Sequence, residues 1–271
     1  MSSFPSRMTA APQTLAPCLL VLLLLSLTPG CATRGLAPPP LPASSLWQSF
    51  ELRRDAAGQA LMGLKASASL HYEDKQKQNR IMLLLWGSPT LPLRLDLSAG
   101  FGTTFAMVSE TETGWSGYLP EKNIVYQSRD AQLGQNVLGI ELPFTLRELA
   151  GVAAGTYTGL APVEFIKARP APNGGWSYTF KSGSPVTSLT LDGEGKPVVF
   201  AGRLKGRDWT MTLSQHGQDA ASAPETITIR LGKVISAVLR IKRLERMSTP
   251  WPDESLALKL PPGTVVSILD L

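Results

Sequence analysis

The stretch that decides the fold reads Leu91-Pro-Leu-Arg-Leu-Asp-Leu-Ser-Ala-Gly-Phe-Gly-Thr103. Leucine occupies every second position of its first half, and this alternation predicts a strand with one apolar and one polar face. The strand runs into a turn in which Gly100 and Gly102 flank Phe101, and the apolar pattern resumes at Phe105-Ala-Met-Val108. A phenylalanine on such a turn either folds back into the core or protrudes as an apolar tip.

The same two-residue period recurs along the chain, as in Leu64–Tyr72. Ile81–Trp86 is apolar without a break, which favours a strand covered on both faces. Further strands are predicted at Trp176–Phe180, Leu189–Leu191, Trp209–Leu213, Ile227–Leu231, Val238–Leu244 and Leu256–Leu260. About ten strands and two helices indicate a mainly β protein. We expect a single curved antiparallel sheet that forms an open β-barrel, with helices covering its concave side.

The two predicted helices differ in character. The first is capped by Ser44 or Ser45 and carries apolar residues at helical spacing from Leu46 to Leu61. It is expected to pack one apolar stripe against the sheet.

The second helix has the clearest local signals in the chain. Thr145 and Glu148 form a capping box, so the helix begins at Leu146 and ends near Ala154, before a natural stop at Gly155. Because this helix is short, apolar and bounded by glycine, it is more typical of a movable lid than of a helix packed permanently against the core.

The first thirty residues have the pattern of a lipoprotein signal peptide. Arg7 supplies a positive charge, Leu19–Leu25 is a short apolar run, and the segment ends at Gly30-Cys31. The apolar run is too short for a comfortable membrane span. We predict a signal peptide at 1–30, a lipidated Cys31 with a proline-rich spacer at 31–43, and a folded domain at 44–271. The alternative is an ordinary cleaved signal with an incidental cysteine.

Charge and cysteine content exclude two classes of protein. Only Arg7 among the 26 basic side chains lies in the first thirty residues, so 25 basic and 21 acidic side chains remain, a net charge of about +4. That mild balance argues against a nucleic-acid partner. Cys18 and Cys31 both lie at or before the start of the expected mature chain, so we predict a mature protein without a disulfide.

No catalytic or metal-binding pattern stands out in the sequence. His71 and His216 are isolated, and no nucleophile elbow, phosphate-binding loop or paired-carboxylate motif occurs. We therefore predict a protein that is not an enzyme and has no cofactor beyond the lipid on Cys31. A basic cluster is either a solvated strand face or a contact for an anionic membrane or an acidic partner. Its members are Arg240, Lys242, Arg243 and Arg246.

Several motifs, in their order along the chain, resemble the LolA/LolB-like lipoprotein-sorting family. They are Met62-Gly63, Arg94–Thr103, Leu142–Leu149, Gly175–Tyr178 and Pro224–Ile229. The resemblance implies a monomeric open barrel, anchored to the outer membrane and facing the periplasm. It would accept the acyl chains of lipoproteins from a LolA-like periplasmic carrier and insert them into the outer membrane. The family commonly has a protruding leucine in a Pro-Leu-Gly loop where this chain has Gly100-Phe101-Gly102, which implies that Phe101 enters the membrane.

An acyl-chain cavity would be lined by alternating strand positions and by the lid. Our candidates for this lining are Leu83, Leu85, Leu93, Leu95, Met107 and Leu149. Two rival functions stay open: a lipoprotein of the same fold that binds another lipid or hydrophobic ligand, and a structural or envelope-assembly lipoprotein with a filled core.

Overall fold

The computed structural model describes residues 41–269 apart from positions 60, 74–77, 101, 140–141, 173, 218–222 and 234. The predicted signal peptide, Cys31 and Phe101 lie outside the described residues, as does most of the predicted spacer. Within the described ranges the protein is mainly β, with fourteen strands in one sheet and few helices. The predicted fold class is confirmed.

The strands are numbered in chain order. They are β1 Gly63–Glu73, β2 Gln78–Gly87, β3 Leu93–Ala99, β4 Thr104–Thr111, β5 Gly114–Leu119, β6 Ile124–Ser128, β7 Lys167–Pro170, β8 Trp176–Thr179, β9 Val186–Leu191, β10 Pro197–Leu204, β11 Arg207–His216, β12 Pro224–Leu231, β13 Ile235–Met247 and β14 Val265–Ile268. Their order across the sheet is β14-β6-β5-β4-β3-β2-β1-β13-β12-β11-β10-β9-β8-β7. All neighbours are antiparallel except β14, which runs parallel to β6. Because β7 and β14 stand at opposite ends of this order, the curved sheet is an open barrel.

The described part of the chain also contains four helices and one 3-10 turn. They are α1 Ala43–Gln59, the 3-10 turn Pro120–Lys122, α2 Ala131–Asn136, α3 Leu146–Ala154 and α4 Asp253–Leu256. Helix α1 begins before Ser44 and ends before Leu61, so the serines expected as caps lie inside its first turn. Helix α3 has the predicted capping box. The Glu148 N–H donates to Thr145 Oγ1 at 3.3 Å and the Thr145 N–H donates to Glu148 Oε2 at 2.7 Å, while Gly155 ends the helix with a φ of 76°.

Strand β3 shows the predicted alternation, but it begins at Leu93. Leu91 and Pro92 belong to a tight turn after β2, where the Leu91 N–H donates to Ser88 O and the Ser88 N–H donates to Pro92 O, both at 2.9 Å. The three leucines within β3 are buried together on one side of the sheet. We call this side the inner face.

Strand β2 alternates in burial although its sequence does not alternate. Ile81, Leu83 and Leu85 are buried on the inner face, whereas Leu84 is 36% exposed on the outer face. The expectation that both faces of this strand are covered is therefore wrong at its centre. The outer face is covered near the end of the strand, where Trp86 Nε1 donates to Ser255 O at 3.2 Å.

The segment after β13 crosses the outer face and does not form the strand predicted at 256–260. Side-chain hydrogen bonds tie it to the sheet: Arg94 Nη1 donates to Ala257 O at 2.7 Å, and Trp251 Nε1 donates to Leu64 O at 3.0 Å. Among the residues that the structure describes, the chain after β13 pairs with a strand again only where β14 meets β6.

Helix α1 packs on the inner face of the later strands through Trp47. The Trp47 ring centroid lies 4.9 Å from that of Tyr178 on β8, 5.2 Å from Phe165 and 5.5 Å from Phe50. Phe180 completes the group at 6.0 Å from Trp47. We call these five residues the aromatic cluster.

Candidate functional site: an apolar cavity under helix α3

A small apolar cavity of about 50 Å³ lies between the inner face and the helical segment around α2 and α3. We call the described residues between Ala131 and Ala154 the roof. The sheet lines the cavity with Leu70, Leu83, Leu95, Leu97 and Val108, and the roof lines it with Gln135, Leu138, Leu142, Phe144, Thr145, Leu146 and Leu149. Because only Gln135 and Thr145 are polar, the lining suits an apolar guest.

The volume of this cavity decides what it can hold. Sites for small organic ligands usually measure roughly 300–1,000 Å³. A cavity of about 50 Å³ is therefore far too small for an acyl chain while the roof stays in place. We call this arrangement the closed form, and a ligand of acyl size needs the roof to move.

The structure brings three of the six candidate residues together. Leu83, Leu95 and Leu149 line the cavity, while Leu85 and Leu93 are buried on the same inner face but do not border the empty space. Met107 was expected in this group, but it pairs with Asp96 and so lies on the outer face. Val108, which pairs with Leu95, takes the inner position. In the strand at 104–111, the even-numbered residues therefore face the cavity side, whereas the sequence-based assignment of Met107 had placed the odd-numbered residues there.

The α2 end of the roof is fixed to the sheet by close packing. A Cβ atom on Gly134 would collide with the indole of Trp115 on β5, so this glycine allows the helix backbone to rest directly on the ring. Asp130 caps α2 by accepting from the Gln132 N–H at 2.8 Å. Gln132 Nε2 in turn donates to Leu142 O at 2.7 Å, which ties α2 to the chain entering α3.

The two ends of α3 meet opposite charges on the sheet. Glu110, on the inner face of β4, accepts from the Leu146 N–H at 2.9 Å. At the other end, Arg246 Nη2 donates to Ala154 O at 3.3 Å. A cation at the last carbonyl complements the helix dipole, whereas a carboxylate at the first turn gains from the dipole but loses its hydration on burial. Glu110 on β4 and Arg246 on β13 thus contact the two ends of α3 from the inner face.

Glu110 is the polar residue that the sequence analysis missed. Its side chain is only 4% exposed. Burial raises the pKa of Glu110 from 4.5 to about 6, although the N–H groups of Leu146 and Arg147 oppose the rise. Burial also raises the pKa of Glu148 in the same turn. The signal for Glu110 was its position two residues after Val108, on the same face of the strand.

The predicted insertion loop connects β3 to β4. The Gly102 N–H donates to Ala99 O at 2.9 Å and the Ala99 N–H donates to Thr103 O at 3.0 Å, which forms a tight turn. Gly100 and Gly102 are both exposed, and Gly102 has a φ of 82° that favours glycine. The residues flanking position 101 thus face solvent.

Three solved structures show where this architecture occurs. A LolA superfamily protein from Nitrosomonas europaea superposes with a TM-score of 0.55 at 8% identity, covering 78% of this chain and 97% of that protein. A domain from Vibrio parahaemolyticus named for outer membrane lipoprotein sorting gives 0.52 at 14% identity, with 79% and 97% covered. A DUF1329 family protein from Desulfovibrio piger gives 0.54 at 9% identity, with 80% and 99% covered. The chain therefore has a LolA-like fold.

Sequence comparisons add nothing to this likeness: no protein-family model and no curated protein matches the chain. Among the residues that the structure describes, no helix has both the length and the apolar character needed to span a membrane.

Proposed function

We propose that this chain is a lipid-anchored receptor of the outer membrane, facing the periplasm, that holds the acyl chains of lipoproteins in the cavity under the roof. It accepts them from a LolA-like periplasmic carrier and releases them into the outer membrane, without catalysis and without a cofactor beyond the lipid on Cys31. The observation that carries this proposal is a cavity lined almost entirely by apolar side chains, beneath a short helix on a LolA-like sheet.

The energetics of acyl chains require such a shielded site. Each CH₂ group removed from water contributes about 0.8 kcal/mol, so an acyl chain of roughly fifteen CH₂ groups would cost about 12 kcal/mol to expose. Free release into the periplasm is effectively excluded at that cost. Transfer must therefore run from one apolar cavity to another or to a membrane.

The roof has features that suit an opening motion. Gly139 and Gly155 lie before and after α3 with φ values of 68° and 76°, and such positions readily absorb backbone rotation. Polar contacts between α3 and the sheet include those from the N–H groups of Leu146 and Arg147 to Glu110 and the bond from Arg246 to Ala154 O. Movement of this short helix thus breaks few polar contacts.

Two further parts of the chain have roles at the membrane: the lipid on Cys31 and the side chain of Phe101. Lipid on Cys31 would keep the protein at the membrane while the proline-rich spacer holds the domain away from it. Phe101, which lies in the sequence between the exposed Gly100 and Gly102, would touch the bilayer at the moment of release. Burying one phenylalanine is worth roughly 1.5–3 kcal/mol, which biases docking without fixing the domain permanently.

Delivery into vesicles tests these roles. A carrier loaded with a labelled acylated lipoprotein is mixed with the full-length protein in phospholipid vesicles, and transfer of label to the lipid is followed. We expect Phe101→Glu to keep the thermal midpoint and cargo acceptance while slowing release about tenfold or more, the factor that corresponds to at least 1.5 kcal/mol. Met62→Glu, at an apolar position that is 51% exposed, is the control and should match wild type. A collapse of both midpoint and cargo binding in Phe101→Glu would place Phe101 in the core.

The same system tests the anchor. Cys31→Ala should lose incorporated fatty-acid label and leave the vesicle fraction, since no second anchor is proposed. Retained label in this variant would rule out lipidation at Cys31.

The small volume of the closed cavity favours one alternative, a non-catalytic envelope-assembly lipoprotein whose core stays filled. Mass spectrometry of the purified full-length protein separates the cases. A co-purified acylated lipoprotein supports the receptor, a different bound lipid supports another hydrophobic ligand, and an empty protein that also binds no added acyl chain supports the filled core.

A further inference from the structure

Glu110 occupies an unusual place for a carboxylate. It follows Ala106 and Val108 on the inner face of β4, and it pairs with Leu93 on β3 and with Trp115 on β5. All four of these neighbours are apolar or aromatic, and they are all buried. Glu110 therefore faces the underside of the roof from an apolar stretch of the sheet.

Few groups offset the charge of this carboxylate. Its Oε2 accepts from the Leu146 N–H at 2.9 Å, and the Arg147 N–H is the second backbone donor. The charged side chains that act on it both belong to α3: Glu148 repels it and Arg147 attracts it. Trp115, which pairs with Glu110 from β5, has a buried Nε1 without a hydrogen-bond partner, so its indole does not donate to the carboxylate. Water is excluded because the side chain is 4% exposed.

Movement of the roof would expose the buried carboxylate of Glu110 to water. The N–H donors and the cover over Glu110 both come from α3, so lifting the first turn of that helix opens the carboxylate to water. An ionised carboxylate is stabilised far more by bulk water than by one or two N–H groups in an apolar site. Ionisation of Glu110 therefore disfavours the closed position of the roof.

We propose that the ionised carboxylate of Glu110 destabilises the closed roof, so that the deprotonated protein opens its cavity to an apolar ligand more readily than the protonated protein does. This inference rests on the proposed function for its biological meaning, but the roof motion itself can be measured without a ligand.

The pKa of Glu110 supports the direction of the effect. Burial raises this pKa to about 6 in the closed form, whereas a carboxyl returned to water has its ordinary value of 4.5. Protons thus bind the closed form more tightly, and protonation favours closure. The stabilisation of the closed form is complete below about pH 4.5 and is lost as pH rises through about 6. The two pKa values set an upper limit of roughly thirtyfold on the change in the open-to-closed ratio.

Hydrogen exchange on the full-length protein tests the proposal. Glu110→Gln keeps an oxygen that can accept from Leu146 but removes the charge. We expect the amides of α3 to exchange more slowly in Glu110→Gln than in wild type, by roughly fourfold at pH 5 and roughly thirtyfold at pH 7.5. Comparing the two proteins at one pH cancels the intrinsic pH dependence of exchange. Glu112→Gln, an exposed carboxyl just beyond the end of β4, should exchange like wild type at both pH values.

Two results would overturn the proposal. Equal protection of α3 in wild type and Glu110→Gln at pH 7.5 would mean that the charge does not affect the roof, and weaker protection in the variant would mean that the carboxylate holds the roof shut. If Glu110→Gln does not fold, the pH dependence of Glu148→Gln decides, because this variant lacks the other carboxyl of the turn whose pKa burial raises. After correction for intrinsic rates, its α3 should lose protection relative to β11 by up to roughly eightfold between pH 5 and pH 7.5, and a constant ratio contradicts the proposal.

An apolar fluorescent probe added to the same samples separates this proposal from the proposed function. If the exchange ratio follows pH as expected but no probe binds at either pH, the roof mechanism stands and the receptor function fails. If the probe binds equally well and equally fast in wild type and Glu110→Gln at both pH values, the function stands and the role of Glu110 fails.

Discussion

The inner face of the sheet is closed in two different ways. Under α1, the aromatic cluster packs with ring centroids 4.9 to 6.0 Å from Trp47. Under α3, leucines and one valine leave an empty volume of about 50 Å³. Large rings held by a helix of seventeen residues make a fixed core, whereas aliphatic side chains beneath a helix of nine residues leave room for a guest.

The composition of the two helices explains this difference. The second half of α3 consists of Gly151, Val152, Ala153 and Ala154, all of which are buried. Such small side chains remove little apolar surface from water, so they contribute far less stability than Trp47 and Phe50 contribute to α1. The helix over the cavity is therefore the more easily displaced of the two, and the following predictions test that contrast.

The largest effect is expected in the aromatic cluster. Trp47→Ala should lower the free energy of unfolding by about 3–5 kcal/mol, because it empties a packed site that cannot collapse. Urea unfolding followed by circular dichroism measures this change. Leu52→Ala, at a position of α1 that is 65% exposed, is the matched control and should stay within about 0.5 kcal/mol of wild type. A loss of less than about 1 kcal/mol in Trp47→Ala would remove the distinction between the packed region under α1 and the cavity region under α3.

A smaller loss is expected beside the cavity. Leu95→Ala should cost about 2–3 kcal/mol, at the lower end for buried leucine because the side chain already borders empty space. The enlarged cavity should bind benzene, so benzene should raise the thermal midpoint of this variant and leave that of wild type unchanged.

Leu84 provides the control for this experiment because it lies on the neighbouring strand, opposite Asp96 on the outer face. Leu84→Ala should cost less than about 1 kcal/mol and show no response to benzene. An equal benzene response in both variants would mean that the ligand does not enter the cavity.

The smallest effect is expected at the first turn of α3. Thr145→Ala removes one half of the capping box and should cost about 1 kcal/mol. Because this loss is confined to the roof, α3 should lose hydrogen-exchange protection while α1 keeps it. Thr145→Ser preserves the hydroxyl and should restore most of the protection. Loss of protection in both helices would show that the roof does not open on its own.

The strands and the lid helix were readable from sequence because their signals are local. Alternation gave the inner leucines of β3, and the pairing of Thr145 with Glu148 located α3. Helix α2 was missed because it is only six residues long, although Asp130 carries a cap signal. The segment at 256–260 was misread because its apolar alternation comes from lying on the outer face, where a tertiary contact from Arg94 replaces strand pairing.

The cavity itself could be predicted only in part. Leu83, Leu95 and Leu149 follow from strand parity and from the lid helix, but Met107 does not, since parity in β4 depends on a register shift beside Ser98 that no local pattern reveals. Glu110 was overlooked because its role arises from contact with a helix that is 36 residues away in sequence.

Site-specific cross-linking tests the central claim, that the cavity under the roof receives the acyl chain. A photoreactive amino acid replaces either Leu83, which lines the cavity, or Leu84, which points to the outer face, in the full-length protein in vesicles. An acylated lipoprotein is then delivered from the carrier, and adducts are identified by mass spectrometry. We predict a cross-link to the acyl chain from position 83 and little or none from position 84. Equal cross-linking from both positions, or cross-linking from position 84 alone, would contradict the account.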